Sequence, residues 1–364
     1  MYPLSPKKSD FLNFVRWMAA LVVVIGHADM YLGLFGGGDP AQWSAFGYLG
    51  VHAHAAVIVF FVLSGYVVAY AIDGKSSLSN YGFRGYFLDR WSRIYSVLLV
   101  AVGFTLALDY VGGMLSAAYD NPAFIPQDGF AFRLIANLLS IQGIWGYRIQ
   151  LGSNPALWSV GYELIYYLLF GVLYFRAKIF RRAWIGVLIV VLVLGLIGWK
   201  MATYFGIWSM GVASYHASNS RRVKRHPISA WLVVAMLIAA NHLLVYSNIL
   251  GAVEVLRDFA FAVVIAVLLT LEVKQMAPSC LRGRQINTYM ADFSYSIYAF
   301  HTPIVFFGCS LLFEPWLRTL PPLFSGLMLV TVSILVARGF FHLAESRRTT
   351  FRRIADQLMR RVGI

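Results

Sequence analysis

The sequence predicts an all-α fold: a polytopic membrane helix bundle of about ten transmembrane helices plus one re-entrant or surface segment. Three observations carry that reading. The 364 residues are 59% hydrophobic with a mean hydropathy of +0.68, and only 13% are charged, about half the charged share of a typical soluble domain. Apolar runs recur along the whole chain, many approaching the roughly 20 residues that cross a bilayer as a helix. The basic residues sit between those runs in short clusters, "RGYFLDRWSR", "RAKIFRR", "RRVKR", "LRGRQ" and "RRTTFRR", the pattern of positively charged cytoplasmic loops. Soluble-enzyme classes are excluded. The net charge of +14 is accounted for by these loops, and no basic domain interleaved with aromatics offers nucleic acid a stacking surface.

The expected spans run over 11–31, 50–72, 94–114, 157–175, 183–199, 202–217, 228–247, 251–272, 293–313 and 321–342. Lys7 and Lys8 precede the first span as they would in a signal peptide. Arg16 and His27 inside it, with no small-residue processing site close behind, mark it instead as a retained helix. Ten spans with both termini inside place 23 Lys and Arg on the cytoplasmic side and four outside (Arg133, Arg148, Lys200 and Arg318), with Arg16, Arg257 and Arg338 within spans. Counting "FRLIANLLSIQGIW" at 132–145 as a crossing would move "RAKIFRR" outside. That stretch is therefore read as re-entrant or surface-lying, shielded by protein or a cavity. The outer loop it belongs to, 115–156, carries Asp120, Asn121, Pro122, Pro126 and Asp128 and is long enough to roof a cavity. Residues 1–345 form the transmembrane domain. The remaining 346–364 form a basic cytoplasmic tail that reads as an amphipathic helix on the membrane surface. Cys280 and Cys309 lie in a loop and an apolar run, so no disulfide framework is expected.

Ionisable groups inside spans face the bundle interior and mark functional paths. Arg16 and His27 are eleven positions apart. At 100° per residue they lie about 20° apart around the helix and roughly 16 Å apart along it. Each alone admits an ordinary reading, a snorkelling arginine and an interhelical hydrogen bond; a shared face favours function. Arg90 and Arg93 sit at i and i+3 at the inner mouth of the third span, a geometry suited to phosphate oxygens, although an ordinary loop flank carries the same residues. Glu163, early in an apolar helix, is expected to face a cavity and to orient a histidine, bind a sugar hydroxyl or pair with an arginine. His301, beside Pro303, is an interhelical hydrogen bond or part of the chemistry. His27-x-Asp29 and His52-x-His54 suggest metal ligands, but two histidines two apart on a helix point about 200° apart. No third ligand recurs in spacing, so no metal is expected.

Arg16 with ten residues before His27, "FFVLSGY" at 60–66, Arg90-x-x-Arg93, "LWSVGYE" at 157–163 and "SYSIYAFHTP" at 294–303 occur in this order. Together they make a set that resembles the transmembrane acyltransferase family three, whose members include bacterial O-acetyltransferases of lipopolysaccharide, exopolysaccharides and Nod factors. Asn13 and Trp17 depart from the family's Asp and Gly in the first helix, and Ile58 from an acid before "FFVLSG". The resemblance implies that His27 is the catalytic base, with Glu163 at the family's acidic position. It also implies that Arg16, Arg90, Arg93, Ser64 and Gly65 serve the acyl-CoA donor. Asp29, Trp158 and His301 are expected on the acceptor side. The implied activity is transfer of an acetyl group from cytoplasmic acetyl-CoA to a hydroxyl of a cell-surface or exported polysaccharide or glycolipid, in the bacterial inner membrane; succinyl and longer acyl groups stay open. A direct transfer and a covalent acyl-histidine both fit. The competing class, a transporter or flippase of a glycolipid or polysaccharide, explains the buried charges. It does not explain the Arg16/His27 spacing combined with a phosphate-suited pair, and no internal repeat supports duplicated halves.

Overall fold

The computed structural model describes residues 4–35, 50, 52–76, 81–147, 149–219, 227–246, 254–274, 281–312 and 321–361. Cys280, Arg148, Arg318 and the 221–225 cluster fall outside them. Among the described residues the regular structure is helical: α1 (Pro6–Phe35), α2 (Ala53–Ser76), α3 (Phe83–Leu115), α4 (Phe130–Leu138), α5 (Trp158–Ile179), α6 (Ala183–Ile197), α7 (Trp199–Ser218), α8 (Ala230–Tyr246), α9 (Glu254–Thr270), α10 (Leu281–Asp292), α11 (Ser294–Leu312), α12 (Pro322–Phe341) and α13 (Arg348–Arg361). Each of the ten expected spans coincides with one of these helices. Among the described residues six helical segments are long and apolar enough to cross a bilayer, and α6 and α8 are shorter apolar helices. The protein is a multi-pass membrane protein.

The 132–145 stretch is no crossing. α4 has nine residues, about 14 Å at 1.5 Å per residue. It ends in a turn where Ser140 and Trp145 take left-handed φ of 59° and 58°. Phe132, Ile135 and Leu139, spaced i, i+3 and i+7, are exposed while Ala136 and Asn137 are buried. This apolar outer face suits a helix lying at a membrane interface. α10 lay unseen in the sequence because its composition is polar, with no apolar stripe to announce it.

The chain gathers into two compact units. The first holds residues up to Ala20, His54–Tyr81 and Ala202–Ser294. Here α2 and α7 approach backbone to backbone: a Cβ on Gly65 would collide with the carbonyl of Trp208, and one on Gly211 with that of Val62. This small-residue contact is a usual way for helices to pack in lipid, where helix faces gain no hydrophobic advantage from one another. The Lys8 ammonium donates to the carbonyls of Leu269 and Leu271 at 2.8 and 2.9 Å, satisfying orphan acceptors at the end of α9. Asn287 donates to Asp10 at 2.9 Å and accepts from Trp17 at 3.1 Å, which gives a structural use to the tryptophan that departs from the family pattern.

The second unit holds Leu21–Ala53, Gly82–Met201 and the chain from Tyr295 onward. The Tyr86 hydroxyl donates to the carbonyl of Tyr167 at 2.9 Å, joining α3 to α5, and a Cβ on Gly171 would meet the Tyr86 ring at 2.6 Å. Near the C-terminal end of α3 the loop turns at Gly152, whose φ is +51°. Asp109 there accepts hydrogen bonds from the Ser153 hydroxyl and, at 2.9 Å, from its backbone N–H. The last helix, expected as an amphipathic helix on the membrane surface, packs on α3: Arg352 pairs with Asp89 at 2.8 Å and Arg84 with Asp356 at 2.9 Å.

Substituting Gly211→Ala is expected to destabilise the first unit by about 1–3 kcal/mol, the range for overpacking a close contact. Gly103→Ala, with nothing within 4 Å of the added Cβ, serves as the neutral or slightly stabilising control. Thermal unfolding in detergent measures both.

Candidate active site

In the second unit two histidines distant in sequence meet. His27 sits on α1 and His301, fully buried, on α11; their rings lie 4.9 Å apart. His301 Nδ1 is 2.7 Å from the carbonyl of Tyr298, an atom that only accepts, so the partners assign the proton to Nδ1 and leave Nε2 a lone pair. His301 Nε2 is 3.1 Å from His27 Nδ1, which therefore donates. Val23 offers its carbonyl to the same Nδ1 at 3.0 Å. The chain of assignments ends at His27 Nε2, which must carry the lone pair. A neutral imidazole held with Nε2 unprotonated is a base already in its working tautomer.

A break in α11 steadies this pair. Pro303 lies inside the helix and has no N–H, so the carbonyl four residues back, at Ala299, loses its helical donor. Asn154 replaces it. Its side-chain amide donates to Ala299 O at 3.0 Å and to the Thr105 hydroxyl at 3.1 Å, and it accepts from Thr302 at 3.2 Å. The loop before α5 is thus pinned into the bundle two residues from His301, by an asparagine that is 1% exposed.

A second group surrounds the arginines. Ser159, Glu163 and Tyr167 recur every four residues on α5 and share a face. Ser159 shares a hydrogen bond with the Tyr298 hydroxyl at 2.6 Å, and Tyr167 donates to Glu163. Arg93 lies in the field of Tyr167, Glu163, Glu345 and Tyr295. Arg90 stands over the Tyr167 ring at 5.7 Å. Among the described residues, the buried Nε of Arg90 and the buried hydroxyl of Tyr295 have no hydrogen-bond partner. Ser296 donates to Glu345 through its hydroxyl at 3.1 Å.

The structure thus brings His27 and His301 together, and Arg90, Arg93 and Glu163 together. Asp29 and Trp158 belong to the same unit: Asp29 packs against Gly50, and Trp158 meets the Tyr162 ring edge-on at 5.0 Å. Arg16, Ser64 and Gly65 belong to the first unit, and "FFVLSG" runs inside α2 as unbroken helix. Sequence reasoning missed Asn154, Tyr167, Tyr298 and Glu345. Tyr167 and Tyr298 had a local signal, one turn from Glu163 and His301; Asn154 and Glu345 had none.

Among the described residues, one group offers three ligand types for a metal. His54, Glu254 and Asp258 of the first unit present ligand atoms within 4.8 Å of one another. His54 is 2.8 Å from Asp258 and 3.4 Å from Glu254, and Tyr204 also donates to Asp258. These bonds already satisfy the buried Asp258, as in an ordinary polar cluster whose other members, His54 and Glu254, are half-exposed.

Apolar helices that carry a histidine pair, with an arginine–tyrosine–carboxylate cluster in the same unit, define a multi-pass membrane protein with a polar site among its helices. The family model described as an acyltransferase domain matches residues 9–338, and the chain belongs to that family, acyltransferase family three. It is 30% identical over 170 residues to "Protein 2 in picA locus" of Rhizobium radiobacter, covering 44% of this chain and 79% of that protein. It is 28% identical to "Acyltransferase MdmB" of Streptomyces mycarofaciens, covering 48% and 41% of the two chains. It is 26% identical to an "O-acetyl transferase" of Shigella phage Sf6, covering 52% and 53%. The chain spans about half the length or less of the last two. No solved structure matches.

Asn154→Ala is expected to destabilise the protein by about 1–3 kcal/mol by stranding the Ala299 carbonyl. In a Pro303→Ala background the new N–H reclaims that carbonyl, so the same substitution costs less. A double-mutant cycle on thermal unfolding reads the coupling.

Proposed function

We propose that the protein is a membrane O-acyltransferase that moves an acyl group, acetyl in the first instance, from cytoplasmic acyl-CoA to a hydroxyl of a cell-surface or exported polysaccharide or glycolipid. The observation that carries the reading is the hydrogen-bond chain from the Tyr298 carbonyl through His301 to His27, which leaves His27 Nε2 as a base. Family membership supports the reaction class. The name of the phage relative, an O-acetyl transferase, supports oxygen as the attacked-from atom and acetyl as the group. The location proposed is the bacterial inner membrane with both termini cytoplasmic, following the distribution of basic loops.

In the proposed reaction His27 Nε2 takes the acceptor hydroxyl's proton as its oxygen attacks the thioester carbonyl. The C–O bond forms, the C–S bond breaks, and the coenzyme A thiolate leaves and takes the proton back from the imidazolium. The Nδ1–H of that imidazolium stays bonded to Val23 O and His301 Nε2, which stabilises the charge as it forms. Arg90 and Arg93 hold donor phosphates, suited by their planar forks. Glu163 balances Arg93 and is a positioning residue. Single-step transfer follows from one base facing the acceptor; trapping of labelled acyl-enzyme would instead favour the covalent route.

His27→Ala is expected to lower acetyl transfer by about 10²–10⁴-fold, the usual worth of a general base, while coenzyme A still binds. Near-normal turnover defeats the assignment. Arg90→Ala with Arg93→Ala is expected to weaken acyl-CoA binding first, so unchanged affinity would reduce both to topology signals. Radiolabelled acetyl transfer and calorimetric titration measure the two effects.

A further inference from the structure

The arginine cluster of the second unit holds more cationic groups than the Arg90–Arg93 pair. Arg348, the first residue of α13, donates to the backbone carbonyl of Asp89 at 3.1 Å, one residue before Arg90. One turn further along, Arg352 pairs with the Asp89 carboxylate at 2.8 Å, so that carboxylate is engaged by the docking of α13. Burial, with the charges of Arg93 and Arg90, pushes the Arg348 guanidinium down to about 10. Four arginines therefore face three carboxylates, Asp89, Glu163 and Glu345, and the latter two also accept hydroxyl hydrogen bonds. Arg90 is 7% exposed and its Nε has no hydrogen-bond partner. Like charges at close range with a buried donor unsatisfied are costly. An anion accepting from several guanidiniums at once relieves both costs.

We propose that Arg348 joins Arg90 and Arg93 in a single anion site, and that the nucleotide phosphates of acyl-CoA are its ligand. The identity of the ligand rests on the acyltransferase reading; the anion site itself does not. The C-terminal helix is then a wall of the donor site, clamped to α3 by Arg352–Asp89 and Arg84–Asp356.

The test uses the full-length protein in phosphatidylcholine nanodiscs, titrated with inorganic pyrophosphate and, separately, with coenzyme A. Arg348→Ala is expected to weaken both by about tenfold or more, the loss of one charge-assisted contact. Arg353→Ala, an exposed neighbour on the same helix, should leave both unchanged. Should the alanine variant fail to fold, Arg348→Gln keeps a donor for the Asp89 carbonyl without the charge and should bind as weakly. Wild-type affinity in both Arg348 variants, or no pyrophosphate binding by the wild type, overturns the proposal. Coenzyme A binding that ignores Arg348 sinks this inference and leaves the acyltransferase reading standing. Pyrophosphate binding that depends on Arg348 without any binding of coenzyme A does the reverse. Displacement of pyrophosphate by anionic lipid in the nanodisc, with coenzyme A unable to displace it, assigns the site to a headgroup and overturns the ligand.

Discussion

A polar group inside a lipid-spanning bundle finds no water, so its partner must be in the protein. Much of the second unit can be read as a consequence of that constraint. Pro303 deprives the Ala299 carbonyl of its helical donor, and Asn154 is brought in from the preceding loop to supply one. The same asparagine accepts from Thr302, next in the chain after His301. The His301 ring, fully buried, donates its Nδ1–H to the carbonyl of Tyr298 and accepts at Nε2 from His27. Satisfying each group in turn leaves a lone pair at His27 Nε2.

The arginine cluster obeys the same rule with the opposite outcome. Asp89 is engaged by Arg352, Glu163 by Tyr167 and Glu345 by Ser296, yet Arg90 keeps a buried Nε and Tyr295 a buried hydroxyl without partners. The histidine chain ends in one free lone pair at His27 Nε2, while the arginine cluster ends in unmet donors. Satisfied polar networks hold geometry, whereas buried unmet donors cost free energy. Both groups lie in one unit of a chain that belongs to an acyltransferase family.

The helices were legible because the apolar runs are long and the basic clusters between them leave one consistent topology. The short α4 was legible for the same reason, as a crossing there would have reversed the charge pattern. α10 was not, since a polar helix carries no stripe to read. Within the site, His27 stood out as a histidine in an apolar run, and Arg90 with Arg93 as a pair one turn apart. His301 was singled out without a partner, because its hydrogen bond to His27 spans 274 positions. Arg348 was hidden in a basic tail whose arginines all look alike as membrane-surface charges.

Sequence alone determined that the chain is a multi-pass bundle, where its apolar helices run, and which few ionisable residues sit within them. Those properties are additive over neighbouring residues, so a local reading reaches them. Only the tertiary structure decided that His27 faces His301, that Asn154 repairs the break at Pro303, and that the last helix brings Arg348 to Arg90. Such pairings depend on which helix faces meet, and hydrophobic patterning is nearly silent about that inside an all-apolar bundle.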